Sequence, residues 1–135
     1  MPVQTINFHI KGDSRGSLIA CEQNHNIPFD IKRVYYIFNT APDAVRGKHA
    51  HKTLGQILVC ISGSCDISTE ENGRQNTYYL NSPTHGLYIS GLVWREMSNF
   101  SPDAVLLVLA SDYYKESDYI RNYKDFLRLT KEQND

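Results

Sequence analysis

Short runs of β-branched and aromatic residues, each closed by a turn former, fill most of this 135-residue chain. Residues 17–23, 31–39, 55–62, 64–70, 77–81, 86–90 and 104–111 read as strands. Between them stand Asn26-Ile27-Pro28, Ala41-Pro42-Asp43, Ser62-Gly63, Asn72-Gly73, Ser82-Pro83 and Ser101-Pro102-Asp103. Many short strands spaced by such breakers predict an all-β sandwich or barrel. Asn72-Gly73 lies between two β-rich runs and predicts a tight hairpin, because both residues tolerate positive φ. The run 104–111 is apolar on both faces, so it is expected to be covered on both sides. Only the C-terminus departs from the pattern. From Asp118 to Thr130, Tyr119, Ile120, Tyr123, Phe126 and Leu127 recur at helical spacing and predict a short amphipathic helix. The polar residues after Leu129 are expected to fray.

The length suits one domain spanning 1–135. A net charge of −1 gives no electrostatic case for nucleic acid or a membrane surface as partner. No apolar run approaches the ~20 residues that span a bilayer. The opening MPVQTINFHI has neither a basic segment nor an apolar core, so no signal peptide is expected and the expected location is the cytoplasm. Cys21, Cys60 and Cys65 are odd in number and show no CxxC spacing. Buried free thiols in a reducing compartment are expected rather than a nucleophile or redox pair.

The chemistry concentrates in RGKHAHK (46–52). On an extended segment, residues two apart point the same way, so His49 and His51 share a face. His9, His25 and His85 read as surface or turn histidines. From Gly47 the chain reads G-K-H-A-H-x4-Q-x6-G, ending on Gln56 and Gly63. This resembles the first motif of the cupin family, HxH-x(3,4)-E-x6-G. Pro83-Thr84-His85-Gly86, followed by Trp94-Arg95-Glu96-Met97-Ser98-Asn99, resembles the second, PxG…H-x3-N. The resemblance implies a cupin double-stranded β-helix, a jelly-roll barrel, here with a short C-terminal helix. Metal-binding cupins use two histidines, a glutamate and a third histidine. The last two positions hold Gln56 and Arg95 here. A neutral amide is a poor ligand and a guanidinium cannot ligate a cation. The expected metal is therefore none, and a metal-dependent dioxygenase-like cupin is disfavoured. The histidines are left for acid–base work, with an ordinary pKa of ~6.5 suited to moving protons near neutrality.

Several longer runs narrow the resemblance: Asp13-Ser14-Arg15-Gly16, NIPFDIKRVYYIFN (26–39), RGKHAHK, GLYISGLVWREM (86–97) and LASDYYKESDYIRNY (109–123). Together they resemble the dTDP-4-keto-6-deoxyglucose 3,4-ketoisomerases, the FdtA/WxcM-like cupins of deoxyamino-sugar (O-antigen and S-layer glycan) biosynthesis. A more distant likeness, to metal-free cupin epimerases of dTDP-4-keto sugars, rests on D-x-R-G and R-G-x-H. It maps the ligand-gripping arginines onto Arg15 and Arg46 and the base onto His49. The family implies a dTDP-linked keto sugar as ligand and a homodimer with exchanged N-terminal strands.

The implied reaction removes the C3 proton α to the C4 ketone, forms an enediol(ate), and reprotonates C4. No redox cofactor is needed, and no GxGxxG or P-loop is present. His49 is the expected base and His51 its proton-relaying partner, with the reverse order left open. Tyr35, on one face of its strand with Ile31, Arg33 and Ile37, is the candidate hydroxyl donor. Arg15 and Arg46 are candidates for pyrophosphate or sugar oxygens, since arginine's planar fork suits phosphate. Arg33, Lys52, Trp94 and Arg95 complete the candidate substrate-binding set. A dTDP-sugar 3,5-epimerase and a non-catalytic sugar-binding cupin are the alternatives.

Overall fold

Along the strands, side chains alternate between a shared interior and two outer faces. The computed structural model describes residues 2–134. The elements are β1 (Val3–Asn7), β2 (Lys11–Asp13), β3 (Gly16–Leu18), β4 (Arg33–Ile37), β5 (Arg46–His51), β6 (Gln56–Ser62), β7 (Cys65–Glu71), β8 (Arg74–Leu80), β9 (His85–Ile89), β10 (Trp94–Ser98), β11 (Val105–Ala110), β12 (Tyr119–Ile120) and α1 (Tyr123–Asn134). Two five-stranded sheets form, in the orders β1-β9-β6-β11-β4 and β12-β5-β10-β7-β8, with every pairing antiparallel. Between them lies a core drawn from both, including Leu58, Leu87 and Val108 of the first sheet and Ile67, Leu80 and Met97 of the second.

β11 sits between β6 and β4 and is covered as its apolar run predicts. Asn72 and Gly73 both have positive φ, 47° and 77°, and close the β7–β8 hairpin. β10 was not legible as a strand because its pattern is inverted: Arg95 points into the barrel and Trp94 out of it.

The run 17–23 is a strand only through Leu18. Beyond it, Asn26 competes for the backbone: its Oδ1 accepts from Glu22 N at 2.8 Å and its Nδ2 donates to Ala20 O at 2.7 Å. The turn this creates folds Ile19, Cys21, Ile27 and Phe29 against the outward residues Ile57, Val59 and Leu109. α1 also starts later than its periodicity predicts. Asn122 caps it, with Oδ1 accepting from Asp125 N at 3.1 Å. Tyr119 and Ile120 instead pair with His51 and Ala50 at the edge of β5. The helix does not fray after Leu129; it runs to Asn134, whose Nδ2 donates to Asn72 Oδ1 at 2.8 Å. Its fully buried Phe126 packs with Ala50, Trp94 and Ile120 over the outer face of the second sheet. Burying such a side chain stabilises by roughly 1.5–3 kcal/mol.

Candidate active site

β5 carries the site, and an irregularity in it decides what shares a cavity. Across from β10, His49 pairs with Arg95 and Arg46 with Met97, so β5 has one residue more than its partner between these pairs. Gly47 takes up the excess at φ 66°. Strict alternation would turn Arg46 away from His49. With the bulge, Arg46 and His49 line one cavity of about 310 Å³ together with Arg33, Tyr35, Met97, Tyr119 and Arg121. Its lining comes from β4, β5, β10 and the β12 segment.

His49 and His51 meet edge to face with ring centroids 4.8 Å apart, as their shared face predicts. Tyr119 covers both, at 4.9 and 4.3 Å between ring centroids. His51 is fully buried and borders a neighbouring cavity of about 430 Å³ lined also by Arg33, Lys52 and Asp118. Its Nδ1 lies 3.1 Å from Asp118 Oδ2. The Asp118 carboxylate also accepts from Thr53 N and Oγ1, each at 3.0 Å. Burial alone would raise the Asp118 pKa, but these hydrogen bonds hold it below its ordinary value. A carboxylate can only accept, so the proton sits on Nδ1 and leaves Nε2 of His51 a bare lone pair. That Nε2 is buried with no protein partner.

Burial first, and then the Arg95 charge, push His49 down to about 3 and His51 down to about 4. Both imidazoles are therefore neutral acceptors at neutral pH. Arg95 is fully buried, and burial lowers it to about 10, still charged at pH 7. Its Nη1 donates to Gln56 Oε1 and its Nη2 to Val93 O. Gln56 Nε2 in turn donates to Tyr35 Oη at 3.0 Å. Burial raises the Tyr35 pKa, so the phenol keeps its proton.

This donor set does not suit a metal. Gln56 spends its amide oxygen on Arg95, His51 spends Nδ1 on Asp118, and Arg95 stands directly across from His49. Among the described residues no group of three His, Cys, Asp or Glu side chains is placed to hold a metal ion.

The structure thus brings together His49, His51, Tyr35, Arg33, Arg46 and Arg95. It does not bring Trp94 to them. Trp94 lies on the opposite face of β10, packed on Tyr123 and Phe126 at 5.3 and 5.8 Å, with Nε1 donating to Glu96. Nor does it bring Arg15, which is exposed on the β2–β3 ribbon and paired with Asp13 at 2.6 Å. Lys52 is exposed at the rim of the His51 cavity. Cys60 and Cys65 are buried and Cys21 half-buried, all as free thiols. Asp118, Tyr119 and Arg121 escaped residue-level reading. Their signal lay in the SDYIRNY run, which a helical periodicity claimed instead.

The comparisons with known proteins agree with one another. The family model FdtA (WxcM-like, C-terminal) matches residues 1–131. The chain is 54% identical, over 93% of its length and 91% of the relative's, to a TDP-4-oxo-6-deoxy-alpha-D-glucose-3,4-oxoisomerase of Aneurinibacillus thermoaerophilus. It is similar to the crystal structure of a 3,4-ketoisomerase from Helicobacter canadensis, with 51% identity, a TM-score of 0.94, and 97% and 98% of the two chains covered. It is also similar to QdtA, a sugar 3,4-ketoisomerase from Thermoanaerobacterium thermosaccharolyticum solved with TDP, with 47% identity, a TM-score of 0.95, and 98% and 96% covered. The arginine-lined histidine pair therefore sits in a cupin-like barrel, and the chain belongs to the FdtA (WxcM-like) family of sugar 3,4-ketoisomerases.

Proposed function

We propose that this isomerase moves the keto group of TDP-4-keto-6-deoxyglucose from C4 to C3 by acid–base proton transfer in the His49 cavity. The Aneurinibacillus relative is named for that substrate, and a QdtA variant was solved in complex with it. One observation carries the mechanism: a neutral imidazole, a tyrosine hydroxyl and several guanidinium groups converge on one cavity.

Arg33 and Arg46 suit the diphosphate, whose oxygens take the planar guanidinium fork. The sugar then reaches the inner end of the cavity. His49 takes the proton from C3, which the adjacent C4 carbonyl makes acidic. Charge passes to O4, where the Tyr35 hydroxyl donates a hydrogen bond and the Arg95 charge lies behind it. The protonated His49 then delivers a proton to C4, and the O3 hydroxyl proton passes by way of His51 Nε2 to O4. One proton leaves carbon and one returns, so the formula is unchanged and no redox partner takes part.

A homodimer with exchanged N-terminal strands belongs to this proposal. The β2–β3 ribbon pairs with neither main sheet, and each of its strand residues is exposed. The outward residues Val34, Tyr36 and Phe38 of the edge-strand segment are 54%, 61% and 57% exposed, an apolar row that a second copy would cover. Arg15 rides on the ribbon, so its role toward substrate requires the exchanged ribbon to carry it to the partner's cavity. A nucleotide-sugar substrate fits a cytoplasmic enzyme, and a 3-keto product fits deoxyamino-sugar assembly.

The test is turnover of TDP-4-keto-6-deoxyglucose in the presence of EDTA, followed by NMR. His49→Asn and His51→Asn are each expected to lose at least a hundredfold in kcat while TDP binding persists. Full activity in either variant removes that residue from the mechanism. Sedimentation that reads a monomer at working concentration removes the exchanged dimer.

A further inference from the structure

The lining of the His49 cavity includes three arginines, Arg33, Arg46 and Arg121, and no carboxylate. The first two come from β4 and β5. Arg121 comes from the short segment after β12 and reaches the cavity over Tyr119, with its guanidinium carbon 4.3 Å from the ring centroid. Tyr119 is the residue that covers both histidines, so Arg121 is fixed over the site's roof. Its fork is not open. Nε donates to Glu116 Oε1 at 2.7 Å and Nη2 donates to Glu116 Oε2 at 2.9 Å, a two-pronged carboxylate contact. Glu116 also accepts from the Tyr114 hydroxyl, and the Tyr114 ring packs at a tilt against Tyr119, 5.4 Å between centroids.

We infer that Arg121 is a third diphosphate-binding arm, and that Glu116 is a tethered anion that occupies its fork until the substrate's diphosphate displaces it. A carboxylate and a phosphate present the same pair of acceptor oxygens to a guanidinium, so one can stand in for the other. The exchange is feasible because both side chains are more than half exposed, so solvent screens the pair and the diphosphate can reach the fork. The diphosphate offers more charge than one carboxylate and meets Arg33 and Arg46 at the same time. Glu116 therefore works against ligand binding, and its removal tightens binding. This rests on the reading of the cavity as a nucleotide-diphosphate site.

Calorimetric titration of the full-length protein with TDP, and separately with thymidine, tests it. Arg121→Gln is expected to weaken TDP binding by about tenfold or more and to leave thymidine binding unchanged, because two charge-assisted bonds are lost. Arg121→Lys is expected to fall between, since an ammonium lacks the fork. Glu116→Gln is expected to tighten TDP binding by about two- to fivefold, as loss of a weak competitor requires. Combining it with Arg121→Gln is expected to abolish that gain. An unchanged TDP affinity in Arg121→Gln, or an unchanged or weaker one in Glu116→Gln, overturns the inference while the functional reading stands. Failure of the wild-type protein to bind TDP at all overturns both.

Discussion

Arg95 donates from Nη1 to Gln56 Oε1 at 2.5 Å, and that one contact sets the direction of every proton in the chain that ends at Tyr35. Arginine has only donors, so the amide oxygen must face it. The amide nitrogen must then face Tyr35, and the Tyr35 oxygen must accept. Its own proton is left free to point into the cavity. Gln56→Glu reverses this polarity: a carboxylate accepts from both neighbours and draws the phenolic proton to itself. The expected result is a ten- to hundredfold loss of kcat with a small change in KM, in steady-state kinetics, with melting temperature retained. Tyr35→Phe is expected to lose at least as much. A Gln56→Glu enzyme with wild-type kcat would show that Tyr35 donates nothing.

Asp118 meets the histidine pair through His51, and the role proposed for it runs through that ring. Its carboxylate selects the Nδ1–H tautomer and leaves Nε2 as acceptor. In Asp118→Asn the amide can turn its NH₂ toward Nδ1 and move the ring proton to Nε2. Loss of about ten- to a thousandfold in kcat is expected, with TDP affinity within about twofold of wild type. Asp118→Glu is expected to recover part of the rate. A parallel loss of TDP affinity, read by calorimetry, would mean that Asp118 merely supports the fold.

The depressed histidine pKa values bear on pH dependence. A base must be unprotonated to act, and His49 and His51 lose their protons above about 3 and about 4. The active fraction of free enzyme falls only as pH drops through those values. kcat/KM, which reports the free enzyme, is therefore expected to stay flat from pH 5.5 to 7.5. A half-loss near pH 6.5 would mean that burial and Arg95 do not govern these rings.

Gly47 is constrained twice. Its φ is 66°, and a Cβ there would lie 3.2 Å from Met97 Cε. Gly47→Ala is expected to cost about 1–3 kcal/mol in denaturant melts. Because relaxing the bulge turns Arg46 out of the cavity, weaker TDP binding should accompany it. Unchanged stability and affinity would show that the bulge does not place Arg46.

Much of this site is legible in the amino-acid sequence, because its chemistry follows strand alternation. His49 with His51, and Arg33 with Tyr35, come from counting by two. Gln56 and Arg95 stood out because they replace ligands in a recognisable spacing. Trp94 was misplaced for a related reason. Beside an inward-pointing arginine, an outward-pointing tryptophan inverts the usual rule that large apolar residues face the core, and only α1 lying over the sheet explains it. The bulge at Gly47 was invisible because glycine is compatible with an ordinary strand too. Asp118 and Tyr119 were hidden because a two-residue edge strand leaves no period to detect, and the helix beyond it supplied a stronger one.

The proposed reaction is proton transfer from C3 to C4 without a metal. NMR of TDP-4-keto-6-deoxyglucose turned over in D2O with EDTA measures it most directly. The expected product is the 3-keto sugar with one deuterium at C4, and no label at C5. Label at C3 and C5 with the ketone still at C4, or no turnover until a divalent metal is restored, would contradict it.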